Sequence, residues 1–170
     1  GGGGPPPTCA ATFADDFETD DYTGSTGTAA WAGNWTEIND SGNPGNGDVQ
    51  VAAVTGNRVL QMGNSARGAQ RVADLSGNTS ATLELGYWRS GLDGADEYAT
   101  VEVSTDGSNW TLLDQFVGPG NDPTSAPPTV VSYDISAHLS ATTHIRFVTS
   151  GSNGKFDRVL FDDIEICADN

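Results

Sequence analysis

Carboxylates crowd both ends of this chain, and their placement raises the question of a cation. Val159-Leu160-Phe161-Asp162-Asp163-Ile164-Glu165-Ile166-Cys167 reads as a strand. By the two-residue repeat, Leu160, Ile164 and Ile166 share one face with Asp162 between them, while Val159 and Phe161 make the other face apolar near the start. An acid therefore stands where a sandwich interior calls for a hydrophobe. An ionised buried carboxylate costs several kcal/mol unless hydrogen bonds or a cation compensate it, and no Lys or Arg adjoins Asp162 in the run. A bound cation is the simplest remedy. The matching half of such a site lies at the opposite end of the chain, in Phe13-Ala14-Asp15-Asp16-Phe17-Glu18-Thr19-Asp20-Asp21. All-oxygen donor sets of this kind suit Ca²⁺.

Nucleophilic or acid-base chemistry finds less support. His138 and His144 flank a loop with no serine or acid in a recognisable nucleophile motif, and no HExxH, GxSxG or phosphate loop occurs. A glycosidase needs only two suitably spaced carboxylates, so with 23 acids their number decides nothing. The chain reads as non-catalytic. Aromatic residues offer a different chemistry, the stacking of flat faces on a ligand. Trp31 and Trp35, four apart, either plug the core or present such faces. Tyr87, Trp88 and Arg89 close an alternating strand in which Trp88 shares its side with Thr82 and Glu84, which leaves it either ligand-facing or packed under a loop.

Positioning these groups falls to a chain of 170 residues with 22 Gly and 8 Pro, long enough for one domain with a sizeable core. No window carries a sustained helical repeat with caps, and no apolar run approaches the roughly 18 residues of a membrane span. Short alternating stretches recur instead: Val49–Val51, Arg58–Met62, Arg67–Leu75, Ala81–Arg89, Tyr98–Ser104, Trp110–Leu113, Val130–Ile135, His144–Val148 and the final run. Thr55-Gly56-Asn57 and Asp106-Gly107 mark hairpins. The expectation is an all-β fold of nine or ten strands, paired antiparallel.

A formal charge of −16 repels nucleic-acid phosphates and the surface of anionic membranes, so nucleic acid is not an expected partner. Cys9 and Cys167, with no cysteine between them, read as one disulfide formed in an oxidising compartment that clamps first strand to last. The domain is then 9–167, with 168–170 as a tail. Gly1 to Thr8, GGGGPPPT, reads as a linker that tethers the domain to an upstream catalytic domain or lipid anchor. No secretory leader opens the chain, as expected of a mature fragment.

Cys9 with Asp16-Phe17-Glu18, Leu83 to Arg89, Thr100 to Trp110, Ile145-Arg146-Phe147 and Phe161 to Cys167 together resemble MAM-like domains. They are also similar to the calcium-bearing jelly-roll carbohydrate-binding modules of bacterial secreted glycosidases and proteases. The resemblance implies an antiparallel β-sandwich of jelly-roll type, its N- and C-terminal strands adjacent, with a structural Ca²⁺ shared by Glu18 and Asp162, or by Asp16 and Asp163 as alternates. A single cysteine pair and Gly/Asn/Asp-rich loops fit a bacterial module better than an animal receptor domain. The function expected is a secreted or cell-surface binding module for a polysaccharide or matrix protein, using Trp88, Tyr87, Trp31, Trp35 and Arg89. The rival is a structural subunit that self-associates through its Gly/Pro N-terminus.

Overall fold

A computed structural model describes residues 9–170, so the expected linker and its self-association lie outside the described residues. Eleven strands form where the alternation points to nine or ten. They are β1 (Ala11–Asp15), β2 (Thr36–Ile38), β3 (Val49–Val54), β4 (Asn57–Gly63), β5 (Gly68–Ala73), β6 (Ser80–Ser90), β7 (Tyr98–Ser104), β8 (Thr111–Val117), β9 (Thr129–Asp134), β10 (Thr143–Thr149) and β11 (Arg158–Asp169). One 3₁₀ turn, Ser136–His138, interrupts them.

Two antiparallel sheets face each other as a jelly-roll sandwich. One runs β3-β4-β11-β6-β9 with β1 also on β11, and the other runs β2-β5-β10-β7-β8. Strand β11 is shared along its length: its first half pairs with β4, its second half with β1, and β6 borders it on the other side. The chain ends therefore meet, with Thr12 opposite Cys167 and a Cys9–Cys167 disulfide beside them. Pairing carries β11 through Asp169, and Ala168 is fully buried, so 168–169 belong to the sheet and do not form a tail.

Between the sheets the alternating apolar residues interdigitate. Phe147 of β10 stacks on Phe161 of β11 at 4.3 Å between centroids. A second, smaller cluster of Val59, Trp88 and Leu160 lies apart from that core. Leu160 is thus on the opposite side of its sheet from Ile164 and Ile166, which pack in the main core with Val159 and Phe161. The uniform two-residue repeat fails here because the β11–β6 register shifts between Asp162 and Glu165, with Asp163 at a φ of 48°. An extra residue at a bulge reverses the facing of everything beyond it.

Candidate functional site

Asp162 precedes that bulge and shares Leu160's side of the sheet, where it is 2% exposed. Its Oδ1 accepts the Asp163 amide and its Oδ2 accepts Asn57 Nδ2–H. Burial pushes its carboxyl up to about 7, and the charges of Asp163 and Glu18 add to the rise. Asp163 is raised as well, by burial first and then by Asp16 and Glu18. Charge influence therefore links Asp162 to Asp163 and Glu18, and Asp163 to Asp16 and Glu18, while no three of these four acids bring ligand atoms within 4.8 Å of one another. Glu18 Oε1 accepts the backbone amide of Arg58, whose guanidinium turns instead to Asp20 at 2.8 Å. None of the five ion pairs among the described residues involves Asp16, Glu18, Asp162 or Asp163. A cavity of about 200 Å³ is lined by Asp16 and Asp163 together with Asp15, Thr26 and Glu165, and does not include Glu18 or Asp162. Oxygen donors with uncompensated negative charge fit a hard cation.

Asp15 behaves differently from Asp16. Its side chain is buried against Arg71, whose Nη1 donates to Oδ2 at 2.8 Å and to Gly24 O at 2.7 Å, while Nε donates to Gly33 O. Trp35 Nε1–H donates to the same Oδ2 and the Phe17 amide to Oδ1. Burial pushes the Asp15 carboxyl up, and the Phe17 amide, the Arg71 charge and the Trp35 N–H pull it back. The Arg71 guanidinium lies 4.8 Å from the Trp31 ring centroid. Trp31 and Trp35 are 7% and 2% exposed, so their rings fill the core end and hold the 22–35 loop across β5. Neither presents a face to a ligand.

The other aromatic candidates are also engaged internally. Trp88, 5% exposed, lies on the outer side of its sheet but beneath the 118–128 loop, where its Nε1–H donates to Ala126 O. Tyr87 stacks on Phe116 at 4.0 Å inside the sandwich. Arg89 holds Asp122 through Nε and Nη2, each at 3.0 Å, and reaches Val117 O through Nη1. Alternation along β6 correctly sets Trp88 opposite Leu83, Leu85 and Tyr87; the covering loop is what closes its face.

The outer side of the five-stranded sheet is open, as is the part of the six-stranded sheet that carries Thr82, Glu84, Ser132 and Asp134. Outward residues of the five-stranded sheet pair in rows, one of which runs Thr36, Gln70, Arg146, Glu102 and Leu112 across β2, β5, β10, β7 and β8. A second carries Ile38, Val148, Thr100 and Gln115. None of these nine side chains is buried. Arg146 Nε donates to Glu102 Oε2 at 2.7 Å, and the guanidinium carbon stands 3.8 Å from the Trp110 ring centroid. The β7–β8 hairpin sets Trp110 there. Asp106 Oδ1 accepts the amides of Ser108 and Asn109 at 2.8 Å each, and those bonds hold its carboxyl well below the usual range. Gly107, at a φ of 76°, brings the turn so close to His144 that a Cβ would stand 2.9 Å from its Nε2. Sequence reasoning missed this face: Trp110 shows only as the start of a strand, and Arg146 and Glu102 stand 44 residues apart.

A third group is Asp93, Glu97 and Asp157, whose ligand atoms lie within 4.8 Å of one another. The GLDGADE turn shows in the sequence; its meeting with Asp157 does not. Asp93 and Gly94 amides donate to Glu97 Oε2 and the Gly154 amide donates to Asp157 Oδ2, so two of the three acids close the turns that carry them.

Several solved structures are similar to the chain. The K3 cleaved adhesin domain of Lys-gingipain from Porphyromonas gingivalis aligns at a TM-score of 0.56 and 16% identity, over 93% of this chain and 99% of that one. The xylan-binding module CBM15 aligns at 0.52 and 10%, over 82% and 94%. The C-terminal family 22 carbohydrate-binding module of Clostridium thermocellum Xyn10B aligns at 0.50 and 18%, over 96% and 97%. No family model and no curated protein matches the chain. At these identities the likeness establishes the jelly-roll sandwich; it assigns no ligand.

Proposed function

We propose that the protein is a non-catalytic, secreted or cell-surface module that binds polysaccharide through the outer face of its five-stranded sheet. One observation carries the reading. The six-stranded sheet is covered over Trp88, Leu160 and Asp162 and open only toward β9, whereas the five-stranded sheet keeps polar and aliphatic side chains partly in water in paired rows from β2 to β8, with an Arg146–Glu102 pair backed by Trp110 among them. A broad surface of hydroxyl, amide and charged groups suits an extended chain of hydroxyl-rich units, and a charge of −16 disfavours polyanions. Polysaccharide binding by modules of the same fold, xylan in the case of CBM15, supports the reading. The disulfide supports an oxidising location.

Ca²⁺ belongs to the proposal in a structural role. Glu18, Asp16, Asp162 and Asp163 would hold it, tying the segment after β1 to the bulge of β11, far in function from the open face. A catalytic domain or lipid anchor upstream would bring such a module to its work by raising effective concentration at an insoluble substrate. The test is retention of the protein on insoluble xylan, cellulose and chitin, with released sugar measured in parallel. Retention on one of them without released sugar is the expected result. No retention on any would overturn the binding reading, and sugar release would overturn the non-catalytic one.

A further inference from the structure

The Arg146–Glu102 pair sits at the middle of the open face, flanked by Gln70 on β5 and Leu112 on β8. Arg146 and Glu102 side chains are 26% and 18% exposed, so both are held in the sheet surface yet reach water. Arg146 uses only Nε in its bond to Glu102 Oε2, which also accepts the Thr100 hydroxyl at 3.3 Å. Among the described residues, neither terminal guanidinium nitrogen and no second oxygen of Glu102 has a hydrogen-bond partner. A planar fork of donors and an acceptor therefore stand side by side at the surface.

Trp110 has a different task from the one an aromatic residue on such a face suggests. Its ring is covered by the guanidinium at 3.8 Å and touched edge-on by His144 at 6.1 Å. A guanidinium stacked on an indole is fixed in its plane by the ring's electrostatic face and by dispersion. Trp110 thus backs Arg146 and sets the direction of its fork, and the turn organised by Asp106 backs Trp110. Both are positioning residues.

We infer that Arg146 and Glu102 form a polar reading site for adjacent hydroxyls of an uncharged polysaccharide, Arg146 donating to two neighbouring oxygens and Glu102 accepting from a hydroxyl proton. The pair cancels its own charge, so the site complements groups that both donate and accept without carrying charge. A uronate would gain the fork but meet the Glu102 carboxylate and the protein's overall negative field. Hydroxyls fit both halves of the site. Such polar readout discriminates strongly, because a ligand lacking a partner hydroxyl leaves a desolvated charged group unpaired.

The inference rests on the proposed binding function and is tested apart from it. The full chain is titrated calorimetrically with soluble neutral arabinoxylan, mixed-linkage β-glucan and polygalacturonate, together with R146M, R146K and E102Q, each checked by its thermal melt. Wild type should bind a neutral polymer and not polygalacturonate. R146M and E102Q should each lose at least tenfold in affinity while melting within a few degrees of wild type. R146K should lose as much as R146M, since it keeps the charge and lacks the fork. If wild type binds and all three variants stay within twofold of it, the site is wrong while the binding function stands. A preference for polygalacturonate overturns the uncharged ligand. If wild type binds none of the three, function and site fall together.

Discussion

Arg71 Nη1 donates to Asp15 Oδ2 at 2.8 Å with the two side chains 2% and 0% exposed. That pair joins β1 to β5 and, through Gly24 O, Gly33 O and Trp35 Nε1, ties down the long segment between β1 and β2. Removing one partner leaves a buried charge alone, which typically costs about 3–5 kcal/mol. D15N should therefore lower the free energy of unfolding by about that much in a urea titration. D15L combined with R71M removes both charges and should recover part of the loss. A D15N protein as stable as wild type would show that the network orders the loop without stabilising the fold.

Calcium and pH should act together at Asp162. Without a cation, burial raises its carboxyl to about 7 against an unfolded value of 3.8, so the folded state binds the extra proton between those pH values. Stability is then highest below the unfolded value and declines as pH rises to about 7. In EDTA the melting temperature should fall between pH 4.5 and 7.5 through this group. Added Ca²⁺ favours the ionised carboxylates and should restore the loss at pH 7.5 while acting weakly at pH 4.5. A melting temperature at pH 7.5 indifferent to EDTA and Ca²⁺ would remove the cation from the proposal.

The ends of the chain were the most legible part of this protein, and for local reasons. Asp162 stands out because an acid interrupts an apolar strand, and Cys9 and Cys167 because no other cysteine competes for them. Its facing was not legible, since the bulge at Asp163 inserts one residue and puts Leu160 with Trp88, opposite Ile164. Nor was the open face. Arg146 meets Glu102 only through the β10–β7 register, and Trp88 loses its exposure to a loop more than 30 residues further along the chain. Alternation fixes what an unbulged strand turns inward; a bulge, and what covers a strand's other side, depend on pairings that no local window contains.

The disulfide should matter through the unfolded chain. Thr12 already pairs opposite Cys167, and the Ala10 amide donates to Asp169 Oδ1, so the folded ends stay together without the bond. With the cysteines 158 positions apart in sequence, chain-entropy reasoning gives a loss of about 5 kcal/mol on opening the loop. The C9A/C167A double variant should keep the native circular dichroism spectrum at 25 °C and unfold at lower urea. A spectrum lost at 25 °C would mean that the β1–β11 pairing depends on the bond.

Trp88 separates a packing role from a binding one. Its ring fills a cluster with Val59 and Leu160, and its indole N–H donates to Ala126 O at 3.1 Å, so the residue fastens the 118–128 loop over the six-stranded sheet. Truncating a buried Trp to Ala typically costs about 3–5 kcal/mol, and removing one such hydrogen bond about 1 kcal/mol. W88A should therefore be markedly destabilised, whereas W88F keeps most of the packing, loses the hydrogen bond and melts a few degrees below wild type. Because the ring lies on the opposite side of the sandwich from Arg146 and Glu102, W88F should bind polysaccharide with wild-type affinity. If W88F instead melts like wild type and loses binding, the loop must open to expose the indole, and the ligand face would move from the five-stranded sheet to the six-stranded one.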